Sequence, residues 1–241
     1  MEFGITLRHD CIEMLGSTIG LRWARSVHCM AAAQDHGRFF AAILHPDMPA
    51  QVALLLLRLS GVPRMAYLSR VTPPTLLRAA AEHFDHRVLV AAATVAGLAL
   101  PTADNQTQQQ LSFPLRLGGM GFRPHTATSP AAWWASMAAA ARPIRGEMSG
   151  SDAADCMAGT DTRRHLVDTY AVLKISGDPG KKEHRFVFPA SLDDYWQLYA
   201  GKREMAPRLQ SHLSRAISVA NYLREHRLLP IIERIMDDQV G

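Results

Sequence analysis

A chain of 241 residues, 48% hydrophobic and 20% charged, has the composition of a soluble globular protein able to bury one large core or two small ones. Its three cysteines, Cys11, Cys29 and Cys156, are scattered and odd in number, which gives no disulfide framework and fits a reducing, intracellular setting. The net charge of +4 lies wholly in residues 1–150, where 13 basic residues, all arginine, face 9 acidic ones; residues 151–241 balance at 13 and 13.

In chain order, the opening residues lack the cationic stretch and apolar run of a signal peptide. Loose alternation with β-branched residues predicts a short hairpin, Ile5–Arg8 paired with Ile12–Leu15 around a His9-Asp10 turn. From Leu21 the period lengthens, and Trp23, Val27, Met30 or Ala31, Phe39 and Ile43 fall near helical spacing, with Gly37 as a weak point. "HPDMP" (45–49) starts a second helix over Ala50–Ser60, stopped by Gly61. Its apolar core, "VALLLLRL", is interrupted by Arg58 and is far shorter than the ~20 residues of a membrane span, so it is expected to be a core helix.

The clearest helix follows. Thr72 is its expected cap, Pro73 and Pro74 its first turn, and Leu77, Ala81, Phe84, Val88, Ala91 and Val95 its buried face, with Gly97 as the stop. Residues 104–111 read as a short polar helix. "SFPLRLGGMGFRPH" (112–125) is a glycine turn, and Ser129-Pro130 opens a helix carrying Trp133 and Trp134. Residues 142–159, rich in Gly, Ser and Asp, are the expected linker. Residues 161–175 and 207–226 read as helices, the latter with an apolar stripe of Leu209, Leu213, Ile217, Ala220 and Leu223.

Three kinds of chemistry can be weighed against this pattern. Gly119-x-Gly121 lacks a third glycine at Pro124 and a preceding strand, so a structural turn with positive φ outweighs a dinucleotide or phosphate loop. His9/Cys11, His28/Cys29 and His83/His86 lack the partners of a zinc site, and no metal or cofactor is expected. Asp237-Asp238 follows a helical run with no third carboxylate motif and reads as a solvated helix end. The remaining signal is distributed cations: Arg58, Arg64 and Arg70, then Arg116 and Arg123 bracketing the glycines, then Arg208, His212 and Arg215 with Tyr222 on the last helix. Such side chains suit a phosphate backbone, although each taken alone is more often simply solvated.

A resemblance goes further than these patterns. "CIEMLGSTIG" (11–20) resembles the segment after the catalytic palm in reverse transcriptases of non-LTR retrotransposons, where it belongs to the primer grip. Residues 38–85, in the order "HPD-x-PAQ…LLLR…G-x-PR-x-x-YL-x-R-x-x-PP…FD", are similar to the succeeding thumb, and 111–136 to the signature that follows it. The resemblance spans roughly residues 11–136. It implies primer-grip positions at Leu15 and Gly16, and template–primer contact through Arg58, Arg64, Arg70, Arg116 and Arg123. The Tyr-x-Asp-Asp motif and its partner aspartate are absent from the sequence, so no catalytic residue is assigned and the chain is not expected to polymerise.

The expected fold is therefore mainly α, with a short N-terminal β-hairpin, a thumb-like helical bundle and a helical tail. Residues 1–100 form the primer-grip and thumb-like region, 101–149 a connector with the glycine turn, and 150–241 the tail. The expected role is that of a truncated, non-catalytic relative of a reverse transcriptase that binds an RNA/DNA duplex by its backbone, away from membranes. The alternative is a helical protein-interaction module exposing Trp133/Trp134 or Tyr195/Trp196, or an inert remnant.

Overall fold

Leu15 and Gly16 decide where the hairpin lies. Both have positive φ, 51° and 74°, the combination that two-residue turns between right-twisted strands require. In the computed structural model, which describes residues 10–98, 105–147 and 160–176, strand β1 (Cys11–Met14) turns through them into β2 (Ser17–Gly20). The register pairs Cys11 with Gly20, Ile12 with Ile19, Glu13 with Thr18 and Met14 with Ser17. The described hairpin thus turns at Leu15-Gly16, while the expected partner strand Ile5–Arg8 and His9 of the expected turn lie outside the described residues. Among the described residues every regular element after the hairpin is helical, so the architecture is mainly α with a short N-terminal hairpin.

The chain divides into two units, Met1–Leu111 with Phe122–Ser129, and Ser112–Gly121 with Pro130–Gly241. In the first, helix α1 (Arg22–Gln34) packs along α5 (Pro74–Val95). The large residues expected on the core face of α1 point elsewhere: Trp23 and Val27 are 57% and 60% exposed, while Ala24, Cys29 and Ala33 are buried. Ala80 and Ala81 of α5 are buried as well. Small side chains on both helices let their axes approach closely, and this outweighs the gain from burying one Trp. After a break at Asp35–His36, α2 (Gly37–Ile43) buries Phe40 and Ile43.

The next run does not stop at Gly61. It passes from α3 (Ala50–Leu56) through a π turn (Leu57–Gly61) and a 3₁₀ turn (Val62–Met65) into α4 (Ala66–Val71). Gly61 is helical (φ −68°, ψ −64°), and a Cβ there would meet the Phe39 ring at 2.9 Å. The glycine therefore serves close packing rather than termination. Pro63 has no N–H to give to the preceding turn, which accounts for the irregular hydrogen bonding. Ala53, Leu57, Gly61, Met65 and Ser69 are buried at a strict interval of four residues. A regular α-helix would rotate that stripe by about 40° at each step, and the wide π turn takes up part of the drift.

By length and composition alone Ala50–Val71 is long and apolar enough to cross a membrane, with mean hydropathy 1.3, which corrects the shorter stretch expected from sequence. Its buried stripe seats it in the first unit, while Val52, Leu55, Leu56 and Leu59 stay exposed.

α5 keeps most of the expected face: Leu77, Ala81, Phe84, Val88 and Ala91 are buried, while Val95 in its last turn is only half-buried. Pro73, rather than Thr72, occupies its cap position, and Thr72 instead receives the Cys29 thiol at 3.8 Å. Burial pushes the Cys29 thiol above its ordinary pKa, against the Thr72 contact and Arg25. At the other end Leu98 N–H reaches Ala93 O (2.9 Å) and Gly97 N–H reaches Thr94 O (3.2 Å), a Schellman closure with Gly97 at φ 65°.

α6 (Asn105–Ser112) leads into the glycine turn, and α7 (His125–Glu147) follows. α7 starts four residues before the expected Ser129 and runs through positions 142–147 of the expected linker. In the second unit Trp134 of α7 and Tyr170 of α8 (Thr160–Ser176) place their rings 5.8 Å apart. Trp133 and Trp134 are both buried, which removes them as an exposed patch. The 207–226 helix with its cations, Tyr195/Trp196, Asp237-Asp238 and Cys156 lie outside the described residues.

Candidate nucleic-acid interface

The glycine turn belongs to the second unit, and the N–H groups of its three glycines are all engaged. Leu117 N–H donates to Pro114 O at 2.8 Å, Gly118 to Leu115 O at 3.0 Å, Gly119 to Pro114 O at 3.2 Å and Gly121 to Phe113 O at 2.8 Å. Gly118 and Gly121 have φ of 76° and 83°, and a Cβ on Gly119 would collide with the Phe113 carbonyl. A phosphate cradle needs several free N–H groups aimed at one point. Here those N–H groups already serve the turn. Arg116 is exposed on its 3₁₀ segment, Leu115–Leu117.

The first unit holds a different arrangement, built on aromatic rings. Phe39 and Phe40 of α2 lie 5.5 Å apart edge to face, and Phe40 meets Phe84 of α5 at 5.9 Å. Phe84 in turn contacts the His36 ring at 5.5 Å and the His125 ring at 5.8 Å. Two guanidiniums lie over this cluster: Arg64 is 4.2 Å from the Phe39 centroid and Arg87 is 4.4 Å from that of Phe40. Arg87 Nη1 also donates to Gln34 O at 3.3 Å. Stacking fixes the plane of a guanidinium and leaves N–H groups at its edge for an anion.

Half-buried His36 belongs to the same cluster. Burial lowers its pKa from the ordinary histidine value, and the Arg64 and Arg87 charges lower it further against the opposing pull of Asp35.

Among the described residues no carboxylate forms an ion pair with Arg64 or Arg87. Between residues 36 and 129 the sequence has eight arginines against four carboxylates. Glu82 is engaged by Arg78 at 2.9 Å, and Asp47 lies 3.7 Å from His45. Asp85, 8% exposed, caps α7 from 40 residues away. Its Oδ1 accepts from His125 N–H (2.7 Å), and its Oδ2 accepts from Thr126 N–H and Thr126 Oγ1 (both 2.9 Å). Pro124 precedes the helix and has no side-chain acceptor, so the carboxylate of α5 supplies the missing cap. Burial raises the Asp85 pKa, against the lowering effect of those donors and of His125.

Ser69, His125 and Asp85 invite comparison with a nucleophilic triad, but their bonds are those of a buried brace. Asp85 holds the His125 backbone and not its ring. His125 Nε2 lies 2.6 Å from Val62 O, and since a carbonyl only accepts, Nε2 carries the proton and donates it. Nδ1 lies 3.0 Å from Ser69 Oγ, whose own proton also has Met65 O within reach at 2.9 Å.

Of the residues named from sequence, Arg64 joins the aromatic cluster, and Arg123, exposed, lines a small cleft with Phe84, Val62 and His125. Arg58 is half-buried on the π turn, and Arg70 is exposed in the last turn of α4, where a cation also complements the helix dipole. Arg58, Arg64, Arg70, Arg87 and Arg123 form no salt bridge among the described residues. Leu15 and Gly16 form the hairpin tip, with Leu15 86% exposed and Gly16 O 3.3 Å from His28 Nε2. Arg87 and His36 were missed by sequence reasoning, although "HGRFF" (36–40) and the spacing of Phe84 and Arg87 by three on one helix are legible signals.

Comparison with family models, curated proteins and solved structures finds no match to the chain.

Proposed function

We propose that this chain is reverse-transcriptase-like and, without catalytic residues of its own, contacts the sugar–phosphate backbone of an RNA/DNA template–primer duplex without reading its bases. The observation that carries this reading is the pair of aromatic-seated arginines, Arg64 and Arg87, with no carboxylate against them among the described residues. Preorganised, unneutralised guanidiniums are the groups that release counterions from a phosphate backbone at least cost. Arg58, Arg70 and Arg123 extend the positive surface of the first unit. The resemblance of residues 11–136 to the region after a reverse transcriptase palm supports the same reading.

Fluorescence anisotropy with a labelled RNA–DNA hybrid across a salt series tests it. Binding whose logarithm falls linearly with log salt supports the proposal. Absence of binding at low salt, by a chain that unfolds cooperatively on heating, overturns it.

A second reading, a protein-interaction module, rests on a surface other than the buried tryptophans. Ile12, Met14, Leu15, Ile19, Leu21, Trp23 and Val27 are all exposed within 16 consecutive positions. Such an apolar concentration is characteristic of contact surfaces.

A further inference from the structure

We propose that His36, Arg64 and Arg87 form one phosphate site in which protonation of His36 supplies the third cation, so that the chain grips a nucleic-acid phosphate more tightly as the pH falls. The inference rests on the backbone-binding reading above and deepens it, because it names the residues that hold one phosphate and the condition that strengthens the grip.

The argument is geometric first. Arg64 comes from the 3₁₀ turn, Arg87 from α5 and His36 from the break between α1 and α2, so three separate elements bring cationic groups to one ring cluster. Phe39, Phe40 and Phe84 seat all three side chains: the two guanidiniums lie over ring faces and the imidazole meets Phe84 at a 79° interplanar angle. Such seating reduces the entropy lost when an anion arrives.

The charged groups facing His36 are Arg64 and Arg87 from the packed elements and Asp35 beside it in the chain. Asp85, which follows Phe84 on α5, and His125, which meets the Phe84 ring from α7, are occupied by the α7 cap and by Val62 O and Ser69. Two arginines therefore act against a single exposed carboxylate, and a proton on His36 is disfavoured until an anion compensates it. A phosphate bound between the arginines provides that compensation. Linkage then requires the converse, that a proton on His36 strengthens phosphate binding by the same factor.

The test uses the full chain. Histidine ring resonances followed by NMR through a pH titration, with and without inorganic phosphate, report His36 directly, and H36Q identifies its signals. Phosphate should raise the His36 midpoint. A rise of about one pH unit corresponds to about tenfold tighter binding of the protonated form. In parallel, hybrid affinity should rise more steeply on acidification from pH 7.5 in wild type than in H36Q, approaching that factor only as pH falls below the lowered His36 pKa, and H36Q keeps the other histidines as an internal control.

A phosphate-dependent midpoint without hybrid binding would support the site and sink the nucleic-acid reading. Hybrid binding with the same pH dependence in wild type and H36Q would overturn the site and leave the reading standing. A midpoint that ignores phosphate would also overturn the site.

Discussion

The glycine turn and the Phe84 cluster make opposite use of similar materials. Both bring arginine close to features associated with phosphate recognition, and in sequence the turn is the more conspicuous. In the structure its Leu117 and glycine N–H groups are consumed by Phe113, Pro114 and Leu115 carbonyls, whereas the cluster holds guanidiniums that no described carboxylate neutralises. A glycine-rich, cation-flanked stretch becomes an anion site only if donors remain after the turn has closed. The number of unspent donors decides between the two regions, and glycine content does not.

The largest expected effect breaks the frame that holds the cluster. Asp85→Ala leaves the His125 and Thr126 N–H groups without their acceptor in a buried setting, and should cost about 3 kcal/mol. Chemical denaturation of the folded chain would measure it. A loss below about 1 kcal/mol would mean that water replaces the carboxylate, and the cap would lose its role. Next comes Gly119→Ala, whose Cβ meets the Phe113 carbonyl. It should destabilise the second unit by about 2 kcal/mol while leaving hybrid affinity unchanged. A matching fall in affinity would return the turn to the interface.

Arg64→Ala with Arg87→Ala should do the reverse, weakening hybrid binding by roughly tenfold at moderate salt. Their exposed stacking contributes little to stability, about 1 kcal/mol for the pair.

The smallest effect is a pH dependence of the thermal midpoint, and its sign follows from the direction of each shift. His36 has its pKa lowered on folding, so its contribution is present above the unfolded value near 6.5 and is lost as pH falls through the folded pKa. The melting temperature should drop on acidification below pH 6.5, and H36Q should flatten that part of the curve. Asp85 has its pKa raised, so its contribution is full below the unfolded value near 3.8 and is lost as pH rises through the folded pKa. Asp85→Asn should remove that acid-side slope.

How much of this was legible in the sequence depends on how far apart the deciding residues lie. The buried face of α5 and its Gly97 stop follow from local spacing, and both are found. The start of α7 does not, because its cap is a side chain 40 residues upstream. The hairpin turn at Leu15-Gly16 was not legible because Leu15 adopts φ 51°, a region where a γ-branched aliphatic residue is uncommon, so turn chemistry pointed to His9-Asp10 instead. In α1 helical spacing marks Trp23 and Val27, but close packing against α5 buries Ala24, Cys29 and Ala33 instead. Arg64 was picked out from sequence, but its partners Arg87 and His36 are joined to it only through ring contacts across three elements.

The measurement that tests the central claim most directly is the slope of log affinity against log salt for the RNA–DNA hybrid, in wild type and in the R64A/R87A double variant. Loss of the one phosphate that the two arginines grip should reduce the magnitude of the slope by about one, with the folded fraction unchanged. An identical slope in the two proteins would contradict the account, because the aromatic-seated arginines would then touch no phosphate.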